Sequence, residues 1–233
     1  MTDPVFEIKI ALLGYVSVGK TTVLNAILRE RFSEVSMRRT TAGVSQFRLN
    51  HKNGNEESWT MEPDDPPRDA KSTLKEISED NQTLRELDTV AEKIFDIQLD
   101  EPLCEMRPDT KLTLVDIPGI NEAGASSKYK DFVMANWYTF DCIVVVMDAR
   151  QGVNSKEQLE LLRMVEKNRQ NIKDIPVIIL CNKVDDPEDQ EQLTLVQEAR
   201  SAVEDIFKVG DREAALEKLT GAKRSPIVAD DEN

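Results

Sequence analysis

Gly14-Tyr15-Val16-Ser17-Val18-Gly19-Lys20-Thr21 fit the spacing G-x-x-x-x-G-K-[ST], and they follow directly on the apolar run 6–13. No other feature narrows the folds open to this chain as much. A strand that ends in a glycine turn and opens a helix aims several backbone N–H groups at one point, with the positive end of the helix dipole behind them. Such a cradle suits a nucleotide's phosphates. Apolar runs then alternate with amphipathic stretches along the chain, the pattern of a sheet covered by helices. Strands are expected over 6–13, 44–49, 103–106, 112–115, 142–147 and 176–181, and helices over 20–30, 127–138, 155–167 and 188–207. The last two strands are continuously apolar, as fully buried parallel strands tend to be. Ser155 and Gln158 have capping-box spacing at the start of the third helix. The cluster Arg107-Pro108-Asp109-Thr110 reads as a turn between two strands, which implies an antiparallel hairpin attached to a mostly parallel sheet.

The chain has 233 residues, which suits one α/β domain, and a formal net charge of −14. That charge repels nucleic-acid phosphates and anionic lipid headgroups, so direct binding to either is disfavoured. The three cysteines, Cys104, Cys142 and Cys181, are odd in number, and two lie in apolar strand-like runs. They read as reduced, buried thiols of a cytoplasmic protein. No apolar run approaches the ~20 residues of a membrane-crossing helix, and the first residues lack a signal-peptide layout. An acidic loop over 62–69 precedes a stretch in which Thr73 and Glu76 have cap spacing and Leu74, Ile77, Leu84, Leu87, Ala91 and Ile94 recur at helical intervals. It is expected to be an inserted amphipathic helix packed on the domain's own core, with a partner-binding face as the alternative.

Two further motifs follow strands. Asp116-Ile117-Pro118-Gly119 comes straight after 112–115. Alone it would be an ordinary turn. Behind a P-loop, a carboxylate at the end of a neighbouring strand faces a bound Mg²⁺, usually through water, and the glycine N–H can reach a γ-phosphate. Asn182-Lys183-Val184-Asp185 comes after 176–181. The Asp185 carboxylate can accept from both N–H donors of a guanine edge, while Asn182 addresses O6/N7 and the Lys183 stem covers the ring. Adenine offers neither donor, so GTP is expected over ATP by ~10³-fold or more.

Taken in order, the P-loop, a threonine-bearing switch, D-x-P-G and N-K-x-D resemble the GTPases related to translation factors. The run Leu112-Thr113-Leu114-Val115-Asp116-Ile117-Pro118-Gly119-Ile120 and the long segment before it are similar to the G domains of the dynamin family. The resemblance covers residues 6–185 and implies a P-loop NTPase three-layer sandwich. It further implies a single G domain over 1–233, with a GTP-binding core of about 6–209 and an insertion of about 51–100, possible truncation at the C-terminus, and Mg²⁺-dependent GTP hydrolysis. By the same resemblance, Lys20 would pair with the β- and γ-phosphates and Thr21 would ligate Mg²⁺ together with Asp116. The cradle would run from Gly14 to Thr22, including Tyr15, Val16, Val18 and Gly19, and Ser17 matches a serine typical of dynamins. In Arg38-Arg39-Thr40-Thr41-Ala42-Gly43 either threonine could complete the metal shell, with Thr40 favoured. Ser17, Lys20, Thr40 and Gly119 are therefore the expected catalytic set. The expected partner is a second copy, or a higher assembly, met across the nucleotide face. Membrane association would come only through parts outside this chain.

Several positions depart from that pattern. Ile120 stands where Ras-like enzymes carry a water-orienting glutamine, and Val16 where dynamins usually have a polar side chain. His51, the only histidine, is expected in a polar loop. Arg38 and Arg39 could supply cations to the transition state, or be solvated charges. Pro226-Ile227-Val228 is the one candidate for a last strand, and no serine-alanine pair follows it. A Ras-like regulatory switch and a GTP-binding module with little hydrolysis remain the alternatives.

Overall fold

The computed structural model describes residues 6–30, 43–51, 75, 90–99, 103, 110–120, 126–151, 156–186 and 188–208. Their elements run β1 (Phe6–Leu13), α1 (Lys20–Leu28), β2 (Val44–His51), β3 (Glu92–Leu99), β4 (Thr110–Asp116), α2 (Ser126–Asn136), β5 (Cys142–Asp148), α3 (Lys156–Asn171), β6 (Val177–Asn182) and α4 (Gln190–Phe207). Short 3₁₀ turns at Trp137–Thr139 and Ala149–Gln151 flank β5.

The six strands form one sheet in the order β3-β2-β4-β1-β5-β6. β1 lies between β4 and β5 and is parallel to both, and β6 continues that direction beside β5. β2 runs antiparallel to β4 and parallel to β3. The sheet is therefore mixed and mostly parallel, the α/β architecture of a P-loop NTPase. The steps β4-α2-β5 and β5-α3-β6 advance in the same direction across the sheet. Right-handed crossovers then place α2 and α3 on one face.

Local chemistry explains the elements. In β5, Ile143, Val144, Val145 and Val146 are all buried, as β-branched residues are when both faces of a central parallel strand are covered. β3 alternates instead: Phe95, Ile97 and Leu99 are buried while Ile94 is exposed, and Phe95 stacks on Phe47 of β2 with ring centroids 5.6 Å apart. α1 starts directly after Gly19 and ends where Arg29 turns left-handed and its N–H closes on the Ala26 carbonyl. α4 is capped by Asp189, whose carboxylate accepts from the N–H groups of Glu191 and Gln192. Trp137, wholly buried, donates its indole N–H to the Lys173 carbonyl at 2.9 Å and ties the end of α2 to the end of α3.

Some expectations need correction. Ile94 belongs to β3 rather than to an inserted helix. The rest of that stretch lies outside the described residues apart from Val90 and Ala91, which are not helical, and Lys75, which is. Leu103 sits in a bend, and the remainder of the expected strand 103–106 lies outside the described residues, as do Arg107 to Asp109. The sheet's antiparallel pairing is β2 with β4, two strands separated in sequence by β3. β6 is half-buried rather than fully buried, with Ile178 at 53% exposure, because among the described residues it pairs on one side only. Cys142 and Cys181 are free and half-buried, and burial raises both thiol pKa values. Cys104 lies outside the described residues. His51 ends β2 instead of sitting in a loop. Ser155 and Pro226 to Val228 are likewise not described.

Candidate functional site

Because β1, β4, β5 and β6 all point the same way, their C-terminal ends open at one edge of the sheet. The registers Leu12 with Asp116 and Asp148 with Asn182 set the following loops side by side. The connection after β1 leaves toward β2 and the one after its neighbour β4 leaves the opposite way toward β5, so the tips of β1 and β4 border the crevice where α/β sheets bind ligands.

The P-loop is pressed against both neighbours. A Cβ at Gly14 would stand 2.5 Å from the Val146 carbonyl oxygen of β5. Gly19 has φ +96°, and a Cβ there would meet the Asn182 side-chain nitrogen at 2.1 Å. No L side chain fits that position. The same Asn182 Nδ2 donates to the Val18 carbonyl at 2.9 Å, so the loop after β6 is fastened to the loop after β1. On the other flank a Cβ at Gly119 would come within 2.3 Å of Val16 Cγ2, and the Ile120 N–H donates to the Gly14 carbonyl at 3.3 Å.

Lys20, Thr21 and Asp116 are buried together under this layer. The Lys20 ammonium donates to the carbonyls of Gly14 at 3.2 Å and Tyr15 at 3.0 Å, which offsets the cost of burying its charge and orients it along the loop. Thr21 Oγ1 donates to Asp116 Oδ2 at 3.5 Å. A hydroxyl and a carboxylate oxygen at that separation are hard donors suited to Mg²⁺, which takes one or two protein oxygens and completes its shell with phosphate and water. No cluster of three or more His, Cys, Asp and Glu is present among the described residues.

Lys183 has φ +63°, and its ammonium reaches back to the Ser17 carbonyl at 2.5 Å and to Asp148 Oδ2 at 2.6 Å. Asp148 ends β5 and is 2% exposed. It also accepts from the Arg150 backbone N–H at 3.1 Å and from Arg150 Nε at 3.3 Å. Burial pushes its carboxyl pKa up, but the hydrogen bonds from Lys183 and Arg150 outweigh burial and hold it below the usual range. The bond to Asp148 raises the Arg150 guanidinium, with a smaller contribution from the field of Asp185. Asp185 itself is exposed, and its N–H donates to Gln192 Oε1 of α4 at 2.9 Å.

Of the expected residues, Gly14, Tyr15, Val16, Val18, Gly19, Lys20, Thr21, Asp116, Gly119, Asn182 and Lys183 meet at this edge. Ser17, with φ +65°, and Thr22 are exposed beside them. Thr40, Thr41, Arg38 and Arg39 lie outside the described residues. Asp148 and Arg150 were missed by sequence reasoning. Their one signal was position, a carboxylate directly after a buried strand, as Asp116 is. Tyr15 was expected in the cradle, but its O–H was not expected to leave the cradle and donate to the Glu157 carbonyl in the first turn of α3.

Among solved structures, the chain is similar to Era from Aquifex aeolicus in complex with GDP and aluminium fluoride, at 16% identity and TM-score 0.47 over 97% of this chain and 61% of that one. It is also similar to a bacterial dynamin from a pair described as sensing and tethering membranes, at 17% identity and TM-score 0.48 over 86% of this chain and 31% of that one. Toc33 from Arabidopsis thaliana, as a dimerization-deficient mutant, resembles it at 11% identity and TM-score 0.49 over 88% of this chain and 64% of that one. The chain thus spans less than two thirds of each of these proteins. None of the curated proteins matches it. The model of the Dynamin family matches residues 10–184, a stretch that carries the strand-end loops of the site up to Val184, and the chain belongs to that family.

Proposed function

We propose that this dynamin-type G domain binds GTP with Mg²⁺ and hydrolyses its β–γ bond, slowly alone and faster when two copies pair across their nucleotide faces. The observation that carries this reading is the fastening of three loops at one sheet edge: Asn182 to Val18, Ile120 to Gly14, and Thr21 to Asp116. One loop would take the phosphates, one the γ-phosphate and metal, one the guanine. Asp185, exposed at the far end, would accept from the guanine edge, beside Asn182 and the Lys183 stem.

In the reaction a water oxygen bonds to the γ-phosphorus, and the β–γ bridging oxygen leaves with its electron pair, giving GDP and phosphate. Charge that develops on the phosphate oxygens would be met by the Lys20 ammonium, held by the Gly14 and Tyr15 carbonyls, and by the cradle N–H groups. Ser17 and the Gly119 N–H would face the reacting phosphate, and Thr40, with Thr41 as competitor, would come from the switch. Mg²⁺, when held by Thr21, Asp116 and that threonine, supplies neutralisation of the β- and γ-phosphate oxygens. A second reading, a GTP-binding module with little turnover, is favoured by one contact: apolar Val16 lies against Gly119, where a water-orienting group would be useful.

Calorimetry with GDP and Mg²⁺ on folded protein tests the first step. Lys20→Ala is expected to weaken GDP binding by ~10- to 10²-fold, the worth of its one charge-assisted bond to the β-phosphate. Asp185→Asn is expected to lower the preference for guanine over adenine nucleotides. Absence of binding by the wild type, or wild-type behaviour in both variants, would overturn the assignment. Single-turnover hydrolysis at saturating GTP separates the enzyme from the binding module.

A further inference from the structure

The carboxylate of Asp148 belongs to none of the four motifs, yet it is the anion that the motif lysine touches. Lys183 Nζ divides its hydrogen bonds between Asp148 Oδ2 at 2.6 Å and the Ser17 carbonyl at 2.5 Å. Asp148 is therefore placed to fix where the ammonium sits, and the ammonium bridges the phosphate turn to the base-reading loop. We propose that Asp148 is a positioning residue for guanine selectivity, acting through Lys183 to hold the 182–185 loop at a fixed distance from the P-loop.

Three further features support this. Asp148 lies opposite Asn182 in the β5–β6 register, so it enters the site from a rigid strand rather than a loop. It is buried and held ionised by two cations, and a charge in that setting tolerates little displacement. Arg150 occupies the other carboxylate oxygen through its backbone N–H and Nε, which leaves Oδ2 directed at Lys183. Lys183, at φ +63°, turns the chain left-handed directly after Asn182, and its stem is the one expected to cover the base. A shift of this ammonium would change the register of Asn182 and Asp185 against the base while leaving Lys20 and Thr21 in place.

The inference rests on the proposed nucleotide site, and its test distinguishes the two. Dissociation constants for GDP and ADP, each with Mg²⁺, are measured for the wild type, Asp148→Asn, Lys183→Met and the double variant. Asp148→Asn is expected to weaken GDP about tenfold and ADP by less than about twofold, lowering the selectivity ratio. In the Lys183→Met background the same change should cost less than about twofold, because the residue through which it acts is gone. Asp148 also caps the 3₁₀ turn after β5. Were that its whole role, Asp148→Asn would cost the same in both backgrounds and leave the ratio unchanged, and the inference would be overturned. Should Asp148→Asn lose its cooperative unfolding transition, Lys183→Met alone decides, since wild-type selectivity in that variant refutes a lysine-mediated effect. A wild type that binds neither nucleotide sinks both proposals, whereas a selective wild type with unshifted variants sinks this one only.

Discussion

Tyr15 stands inside the glycine turn after β1, yet its phenol turns away into the first turn of α3, where its O–H donates to the Glu157 carbonyl. Burial first, and then the carboxylates of Glu157 and Glu160, push its pKa from 10.0 up to about 12. The sign of the linkage follows. Below pH 10 the phenol is protonated in both folded and unfolded chains and its contribution is complete. As pH rises from 10 to about 12 the unfolded chain loses the proton first, binds fewer protons than the folded one, and stability falls. Unfolding midpoints in denaturant across that window should therefore decline in the wild type by on the order of 2 kcal/mol and decline less in Tyr15→Phe. At neutral pH the same substitution should cost about 1 kcal/mol, the worth of one buried hydrogen bond. Equal alkaline slopes in the two proteins would place the phenol in water. The P-loop is thus held by β5 at Gly14, by the loop after β4 at Gly14 and Val16, by α3 at Tyr15 and by the 182–185 loop at Val18.

At the scale of elements, α4 follows the 182–185 loop proposed to read the base, and its start is the point where a local stability change can reach the site. Asp189 accepts from the N–H groups of Glu191 and Gln192, and the Gln192 side chain in turn accepts from the Asp185 N–H. Asp189→Ala should lower global stability by about 1 kcal/mol. It should also weaken guanine-nucleotide binding, because the first turn of α4 is what holds the Asp185 backbone. A stability loss with unaltered GDP affinity would separate the cap from the loop. The elements near this site were legible because long apolar runs fix strands locally: β1 has the bounds read from its residues, and the strands behind Asp116 and Asn182 differ by one or two residues at their ends. β3 was not legible. Ile94 satisfies a helical stripe with Ala91 and Leu87 as well as it satisfies a strand, and only the alternation of Phe95, Ile97 and Leu99 separates the two readings. Its pairing with β2 is parallel and spans about forty residues of chain, a non-local contact that no short window contains. Likewise the spacing of the four motifs brought Lys20, Thr21, Asp116, Asn182 and Lys183 to one edge on paper. Asp148 required the strand register, because a lone carboxylate after an apolar run has no spacing to recognise it by.

For the molecule as a whole, the site opens at one edge of the sheet, and the chain carries a net charge of −14. Two such chains meeting across that edge repel each other at long range, so pairing has to draw on short-range contacts made around the nucleotide. If pairing accelerates hydrolysis, turnover per molecule should rise with protein concentration and level off once most copies are paired. A specific activity that stays flat over a thousand-fold range would remove pairing from the mechanism. Salt adds an independent check. The screening length shrinks from about 30 Å at 0.01 M to about 8 Å at 0.15 M, so the repulsion between approaching copies is largely lost across that range. The concentration giving half-maximal turnover should therefore fall as salt is raised through it. Binding of GDP by a single copy, which on the proposed reading rests on buried Lys20 and the backbone N–H groups, should change far less. An opposite salt response, with pairing weakened as ionic strength rises, would mean that the two faces attract through complementary charges, and the paired surface would then have to be sought where Lys and Arg are concentrated.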